Sequence, residues 1–186
     1  MDITYKVGVL VGSLRKGSYS RMLANTLIDI APKNLEGQII EIGDLPLYNE
    51  DLDKDPPQQW TEFRDQVRGM DANLFVTPEY NRSVPGALKN AIDVGSRPYG
   101  KSVWDKKPAG VISGSISGLS GFGANHALRQ SLVFLNMPVM QQPEGYIANF
   151  DKLFGDDDKI TNAGTKEFLT KFMATFGEWI SRVAAK

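Results

Sequence analysis

The chain has 186 residues, a length typical of one domain, and its hydrophobic content of 41% is ordinary for a globular protein with a sizeable core. Its 21 basic and 22 acidic residues give a formal net charge of -1, which indicates no nucleic-acid partner and no anionic membrane partner. The absence of cysteine and the single histidine exclude disulfides, Cys-ligated zinc, iron–sulfur clusters and multi-histidine metal sites, so we expect no metal.

The first half of the chain alternates apolar runs with amphipathic segments. Three short, mostly apolar runs are typical of buried strands. They are Tyr5–Val11, Gln38–Ile42 and Ala72–Val76. Three segments with apolar residues at helical spacing predict helices. They are Ser20–Ile30, Gln58–Gly69 and Gly86–Val94.

The second half continues the alternation. Strands are predicted at Pro108–Ser113 and, very short, at Pro138–Met140. Helices are predicted at Gly123–Leu135 and Asn162–Ala184. Strands that alternate with helices predict an α/β fold with a parallel sheet covered on both faces. Because no repeat or linker interrupts this pattern, we expect a single domain over residues 1–186.

The N-terminal sequence and the hydropathy of the chain predict its compartment. The N-terminus carries the acidic Asp2 and has no long apolar run, unlike a signal peptide. No stretch approaches the ~18 consecutive apolar residues that a membrane span needs. We therefore expect a cytoplasmic protein that has no membrane partner.

Three loops follow predicted strand ends and lead into helices: residues 12–20, 77–86 and 113–123. We call them the first, second and third loops. In an open parallel sheet, ligands bind beyond the carboxyl ends of the strands, where the strand order reverses. The three loops are therefore expected to meet in one crevice.

The first loop has the composition of a phosphate site. Ser13, Ser18 and Ser20 offer hydroxyls, Arg15 offers a guanidinium, and the next helix offers free main-chain N–H groups. The loop has the glycine spacing of a Walker motif, but Ser18 stands where that motif needs lysine. The pattern therefore fits a phosphomonoester, and a polar turn that only caps a helix is the open alternative.

The second and third loops suit a planar ligand. Pro78 and Pro85 stiffen the second loop, where Tyr80 offers a ring and Asn81 an amide, although a rigid surface turn is the alternative. The third loop has four glycines in eleven residues, which allow its backbone to approach a ligand closely. Neither a G-x-S-x-G elbow nor a G-x-G-x-x-G fingerprint is present, so a hydrolase and a Rossmann dinucleotide site are disfavoured.

Two segments, Gly12–Ser18 and Thr77–Asp93, resemble the NADPH-dependent FMN reductase family, and within it the bacterial chromate/quinone reductases. The resemblance implies a flavodoxin-like doubly wound five-stranded parallel sheet of strand order 2-1-3-4-5, non-covalent FMN, and a homodimer or homotetramer. It also implies a set of FMN-binding residues. They are Ser13, Arg15, Ser18, Ser20, Pro78, Glu79, Tyr80, Asn81, Arg82 and Ser115.

The same resemblance implies a ping-pong oxidoreductase that passes electrons from NADPH or NADH to quinones, chromate or similar small oxidants. No side chain is expected to act as a catalyst, because the flavin does the chemistry. Arg82, Arg97 and Ser117 are the candidate substrate-binding residues, and the lone His126 is interpreted as structural. The alternative is a flavodoxin-type electron carrier without a nicotinamide site, which the net charge of -1 disfavours.

Two positions depart from the family pattern. The family commonly has asparagine where this chain has Ser20, and a serine still supplies a hydroxyl for a phosphate. Relatives often carry an arginine in the third loop, whereas Ser120–Gly123 here contains none. The choice between NADPH and NADH is therefore left open by the sequence.

Overall fold

A computed structural model describes residues 3–184, in which five strands alternate with five α-helices. The strands are β1 (Tyr5–Val11), β2 (Leu35–Ile40), β3 (Ala72–Thr77), β4 (Ala109–Gly114) and β5 (Gly145–Ile147). The helices are α1 (Tyr19–Asp29), α2 (Gln58–Arg68), α3 (Gly86–Gly95), α4 (Phe122–Phe134) and α5 (Ala163–Ala184). None of these helices has the length and apolarity that crossing a membrane requires.

The five strands form one parallel sheet in the order β2-β1-β3-β4-β5. Alternate residues of a strand point to opposite faces, and this separates the core into two layers. In β1, Val9 packs with α1 and α5 on one face, whereas Leu10 packs with α2, α3 and α4 on the other. The predicted flavodoxin-like doubly wound sheet is confirmed.

The prediction of the fifth strand at Pro138–Met140 is wrong, because the strand lies at Gly145–Ile147. The earlier segment does run beside the start of β4, where its middle residue forms an isolated parallel bridge with Ala109. Pro138 has no N–H to donate, and the carbonyl of Met140 accepts a hydrogen bond from the Arg129 side chain. The ladder therefore forms later, against the carboxyl end of β4.

Most other boundaries agree with the sequence-based prediction to within one residue, and two of the differences have a physical reason. Strand β2 begins and ends earlier than residues 38–42, because Leu35 is buried in the core and pairs with Tyr5 of β1. Helix α1 begins at Tyr19, since Ser18 caps it with a side chain that accepts a bond from the main-chain N–H of Arg21. The first loop is shorter than predicted, and Ser20 lies in the first helical turn.

Residue Asn90, on α3, holds the long loop between β2 and α2. Its side-chain oxygen accepts a 2.8 Å hydrogen bond from the main-chain N–H of Tyr48, and its amide nitrogen donates to the carbonyls of Leu45 and Pro46. The indole of Trp60 donates to the same Pro46 carbonyl at 2.9 Å. Asn90, which lies within the Thr77–Asp93 segment, therefore has a structural role.

Candidate functional site

The three loops meet at the carboxyl edge of the sheet and enclose a crevice of about 220 Å³. Strands β1, β3 and β4 are neighbours in the sheet, so the loops that follow them come together there. Eight of the ten predicted FMN-binding residues line this crevice. They are Ser13, Arg15, Ser18, Ser20, Pro78, Glu79, Tyr80 and Ser115.

The first loop places two buried hydroxyls at the start of α1. Ser18 is 4% exposed and Ser20 is 3% exposed, and both face the crevice. Because Ser20 lines the crevice, its hydroxyl is placed to donate to a ligand there. The first N–H groups of a helix have no partner within the helix. This end of the crevice therefore offers donors to an anion.

A positive charge lies beside these donors. The guanidinium of Arg15 donates from Nη2 to the Gly17 carbonyl at 3.1 Å and lies 5.0 Å from the ring centre of Tyr19. The first turn of α1 contains no acidic residue. The positive end of the helix dipole and the guanidinium therefore both favour a negative group at this position.

The tip of the second loop is a tight turn. The main chains of Tyr80 and Ser83 exchange two hydrogen bonds, of 3.1 and 2.9 Å. Between them, Asn81 and Arg82 have φ angles of 50° and 65°, in the left-handed region. Both residues are exposed and do not line the crevice, in contrast to Pro78 at the base of the loop. The structure thus places these two predicted residues at the rim.

A buried polar network fixes the third loop. The hydroxyl of Ser113 donates to the Ser120 carbonyl at 2.9 Å and lies 3.1 Å from the amide nitrogen of Asn125. The same amide nitrogen donates to the Gly145 carbonyl at 3.1 Å, and Arg129 donates to the Asn125 oxygen at 2.8 Å. Burial lowers the pKa of Arg129. These bonds tie the loop to α4 and β5.

The lone histidine belongs to a cluster outside the crevice. Burial, followed by the hydrogen bond to Glu144, raises the pKa of Tyr146 to about 12. Tyr146 therefore stays protonated at neutral pH and donates to the Glu144 carboxylate at 3.0 Å. His126 Nε2 lies 2.9 Å from the Tyr146 hydroxyl oxygen, and its ring packs against Phe122. These contacts agree with the structural interpretation of His126.

Two candidate substrate-binding residues also lie apart from the crevice. Ser117 is exposed, and its main-chain N–H donates to the hydroxyl of Ser115 at 3.1 Å. Arg97 lines a larger cavity of about 600 Å³ between α3 and α4. This second cavity is lined mainly by residues in and next to α3 and α4 and by no residue of the three loops. We therefore place the candidate site in the smaller crevice, where the loops of an open α/β sheet bind ligands.

Four residues of the crevice were not predicted: Tyr19, Gly114, Ile116 and Phe150. The first three lie within the predicted loops, so their position in those loops could have indicated that they line the crevice. Phe150 follows β5 in a segment without a hydrophobic period, and nothing in the sequence indicated it. Its ring packs edge-on against Tyr19, with ring centres 6.2 Å apart.

Comparisons with known proteins agree with this geometry. Residues 5–152 match the family model described as NADPH-dependent FMN reductase. A quinone reductase of Pseudomonas putida is 58% identical over 181 residues, which cover 97% of each chain. A 2-hydroxy-1,4-benzoquinone reductase of a Burkholderia species is 39% identical over 175 residues, 94% of this chain and 96% of the relative.

A solved structure extends the likeness to three dimensions. The flavoenzyme FerB of Paracoccus denitrificans, described as an NAD(P)H:(acceptor) oxidoreductase, superposes with a TM-score of 0.90 at 39% identity. The match covers 96% of this chain and 98% of FerB. The chain therefore belongs to the NADPH-dependent FMN reductase family, as an NAD(P)H-dependent oxidoreductase that works with FMN.

Proposed function

We propose that the crevice holds FMN without a covalent bond and that the protein passes electrons from NADPH or NADH to quinones. The observation that carries the proposal is the meeting of eight predicted FMN-binding residues in one crevice. The relatives whose names state an activity on quinones are 58% and 39% identical to this chain over nearly its whole length. These names support a quinone as the electron acceptor.

The donors of the first loop fit the phosphate of FMN. The crevice is lined at this end by the hydroxyls of Ser18 and Ser20, beside the N-terminus of α1, and such donors favour an anion. Ser13 and Arg15 line the same end of the crevice. A phosphomonoester has three acceptor oxygens and needs several such donors. We therefore assign the phosphate of FMN to this end.

The other end of the crevice fits a planar ring. Pro78 and Tyr80 of the second loop face Ser115 and Ile116 of the third loop across it. When bound, FMN supplies the redox chemistry, since it accepts a hydride from the nicotinamide and passes electrons on to the acceptor. The protein holds the ring between the two loops and needs no acid–base side chain of its own.

The size of the crevice leaves an open side by which reactants can approach. Its volume of about 220 Å³ lies below the roughly 300–1,000 Å³ of pockets that bury most of a drug-sized ligand. A molecule as large as FMN is therefore only partly enclosed, and other reactants reach it from the open side. We propose that the nicotinamide leaves before the quinone enters by the same side.

The proposal is tested by titrating FMN-free protein with FMN and with riboflavin, which lacks the phosphate. We expect FMN to bind at least about tenfold more tightly, because hydrogen bonds to a charged group contribute roughly 1.5–3 kcal/mol. Ser20→Ala should weaken FMN binding by about tenfold and leave riboflavin binding unchanged, and Ser181→Ala on α5 is the matched control.

The loaded protein should then oxidise NADPH or NADH when a quinone is present, with parallel lines in double-reciprocal plots at several quinone concentrations. Equal binding of FMN and riboflavin would contradict the assigned phosphate site. An FMN-loaded protein that fails to oxidise either nicotinamide would favour the alternative function, an electron carrier.

We also propose that the protein is a homodimer or homotetramer. Val133 and Phe134, at the end of α4, are 68% and 89% exposed beside the cavity between α3 and α4. Exposed apolar residues beside a cavity are typical of an interaction site. The same face carries Lys89 and Asp93, which pair with each other at 2.7 Å within the chain, so a second copy related by a two-fold axis would meet a face that holds both charges.

In sedimentation velocity, we expect the wild type to sediment as a dimer or larger. Phe134→Glu should increase the monomer fraction, because the substitution places a charge in the proposed interface. Ile3→Glu changes an exposed apolar residue before β1 and serves as the control. A wild-type monomer at micromolar concentration would contradict the proposal.

A further inference from the structure

The side chain of Glu79 makes its contacts with the protein itself. This residue of the second loop has a side chain that is only 12% exposed. One carboxylate oxygen, Oε2, accepts a 3.1 Å hydrogen bond from the main-chain N–H of Ala124 on α4. The other oxygen, Oε1, lies 3.3 Å from Nη1 of Arg82. The carboxylate thus joins the second loop to the helix that follows the third loop.

Helix α4 has no cap of its own. Its N-cap is Gly121, which has no side chain, and the first helical turn contains no acidic residue. The N–H groups of a first turn need acceptors from outside the helix, and a carboxylate is the acceptor that the helix dipole favours. Glu79 supplies this acceptor from a loop that is 45 positions away in the sequence.

The close approach of the two elements depends on Gly123. A Cβ atom at this position would lie 2.8 Å from the Arg82 carbonyl oxygen and 2.9 Å from Glu79 Oε2. Real Cβ atoms essentially never show such contacts. A glycine in the first turn of α4 therefore lets the turn of the second loop lie directly against the helix, within reach of the carboxylate.

We infer that Glu79 is a positioning residue: by capping α4, it fixes the second loop relative to the third loop on the other side of the crevice. Pro78 and Tyr80, which flank it in sequence, face the FMN site on one side, and Ser115 lies opposite. Arg82, in the exposed left-handed turn, donates to the other oxygen of the same carboxylate. The expected effect on FMN binding rests on the proposed function. The cap itself is a contact within the protein and does not depend on FMN.

The test compares Glu79→Ala, which removes the acceptor, with Glu79→Gln, which keeps an oxygen acceptor but removes the charge. In FMN-free protein, hydrogen exchange of the Ala124 amide is followed by NMR. We expect exchange to be about tenfold faster in Glu79→Ala and close to wild type in Glu79→Gln. The Kd for FMN should rise about tenfold in Glu79→Ala, with rescue to within threefold in Glu79→Gln.

Glu178→Ala on the exposed side of α5 is the control, and we expect it to change neither quantity. Unchanged protection of Ala124 in Glu79→Ala would overturn the inference, even where FMN binding weakens, because the carboxylate would then act on the ligand directly. A Glu79→Gln variant as impaired as Glu79→Ala in both measurements would also overturn it. Failure of wild-type protein to bind FMN would contradict the proposed function alone, since the exchange measurement needs no flavin.

Discussion

Gly114→Ala should raise the Kd for FMN about a hundredfold, because overpacking a well-packed region costs about 1–3 kcal/mol or more. Gly114 is the last residue of β4, where the strand leads into the third loop. A Cβ atom at this position would overlap the ring of Phe150, which forms part of the crevice wall. Either that ring must leave its position or the end of β4 must move, and both changes distort the site. The measurement is a fluorescence titration of FMN-free protein.

Gly118→Ala is the matched control in the same loop. A Cβ atom at Gly118 meets no other atom within 4 Å, so we expect the Kd to stay within about threefold of wild type. The double variant Gly114→Ala/Phe150→Ala removes the overlap and should recover part of the lost affinity. Equal Kd values for Gly114→Ala and Gly118→Ala would show that Phe150 does not shape the flavin site.

Phe176→Ala should lower the free energy of unfolding by about 3–5 kcal/mol, the usual cost of removing a buried phenyl ring. The ring is completely buried on the α5 side of the sheet. A Cβ atom at Gly110 of β4 would lie 3.1 Å from this ring and 3.1 Å from a methyl group of Leu74, so the glycine makes the space that the ring fills. Its removal leaves a cavity against the middle of the sheet.

The measurement is urea-induced unfolding of FMN-free protein, so that ligand binding does not add to the stability. Tyr99→Ala is the control, because this aromatic residue is 92% exposed and should change the free energy of unfolding by less than about 0.5 kcal/mol. For a domain whose whole stability is about 5–15 kcal/mol, the loss at Phe176 is a large fraction. A change below 1 kcal/mol would mean that the core closes around the missing ring.

The central strands were predictable from sequence because they are buried on both faces. Every residue of β3 and β4 is buried, so these strands are mostly apolar runs in the sequence. Strand β5 has only three residues and begins with Gly145, which gives no such run. The earlier Pro138–Met140 segment has the more strand-like composition, yet its pairing with β4 is limited to an isolated bridge at Ala109.

The crevice was predictable to the extent that it depends on loop position. Loops that follow neighbouring parallel strands meet at one edge, whatever their sequence, and this rule locates residues such as Ser13 and Pro78. The rule does not say how a loop folds within itself. The tight turn that carries Asn81 and Arg82 to the rim, and the packing of Phe150 against β4, arise from contacts across the chain.

Several expectations from the resemblance stay predictions. Two of them are chromate as an acceptor and the preference between NADPH and NADH. Both concern reactants that approach from the open side of the crevice. Arg97 lines the cavity between α3 and α4 and not the crevice, so its role in binding substrate also stays a prediction.

The attachment of the long loop to α3 by Asn90 has a practical consequence for labelling. Residues 45–48 are tied to the helix, and the following carboxylate of Asp53 is held by the hydroxyl of Tyr48 at 3.0 Å. Beyond these anchors, Lys54 and Asp55 are exposed and make no side-chain contact that the fold needs. Since the natural chain has no cysteine, one cysteine introduced at Asp55 would be the only thiol available to a fluorophore. A dye there would report on the molecule without touching the crevice.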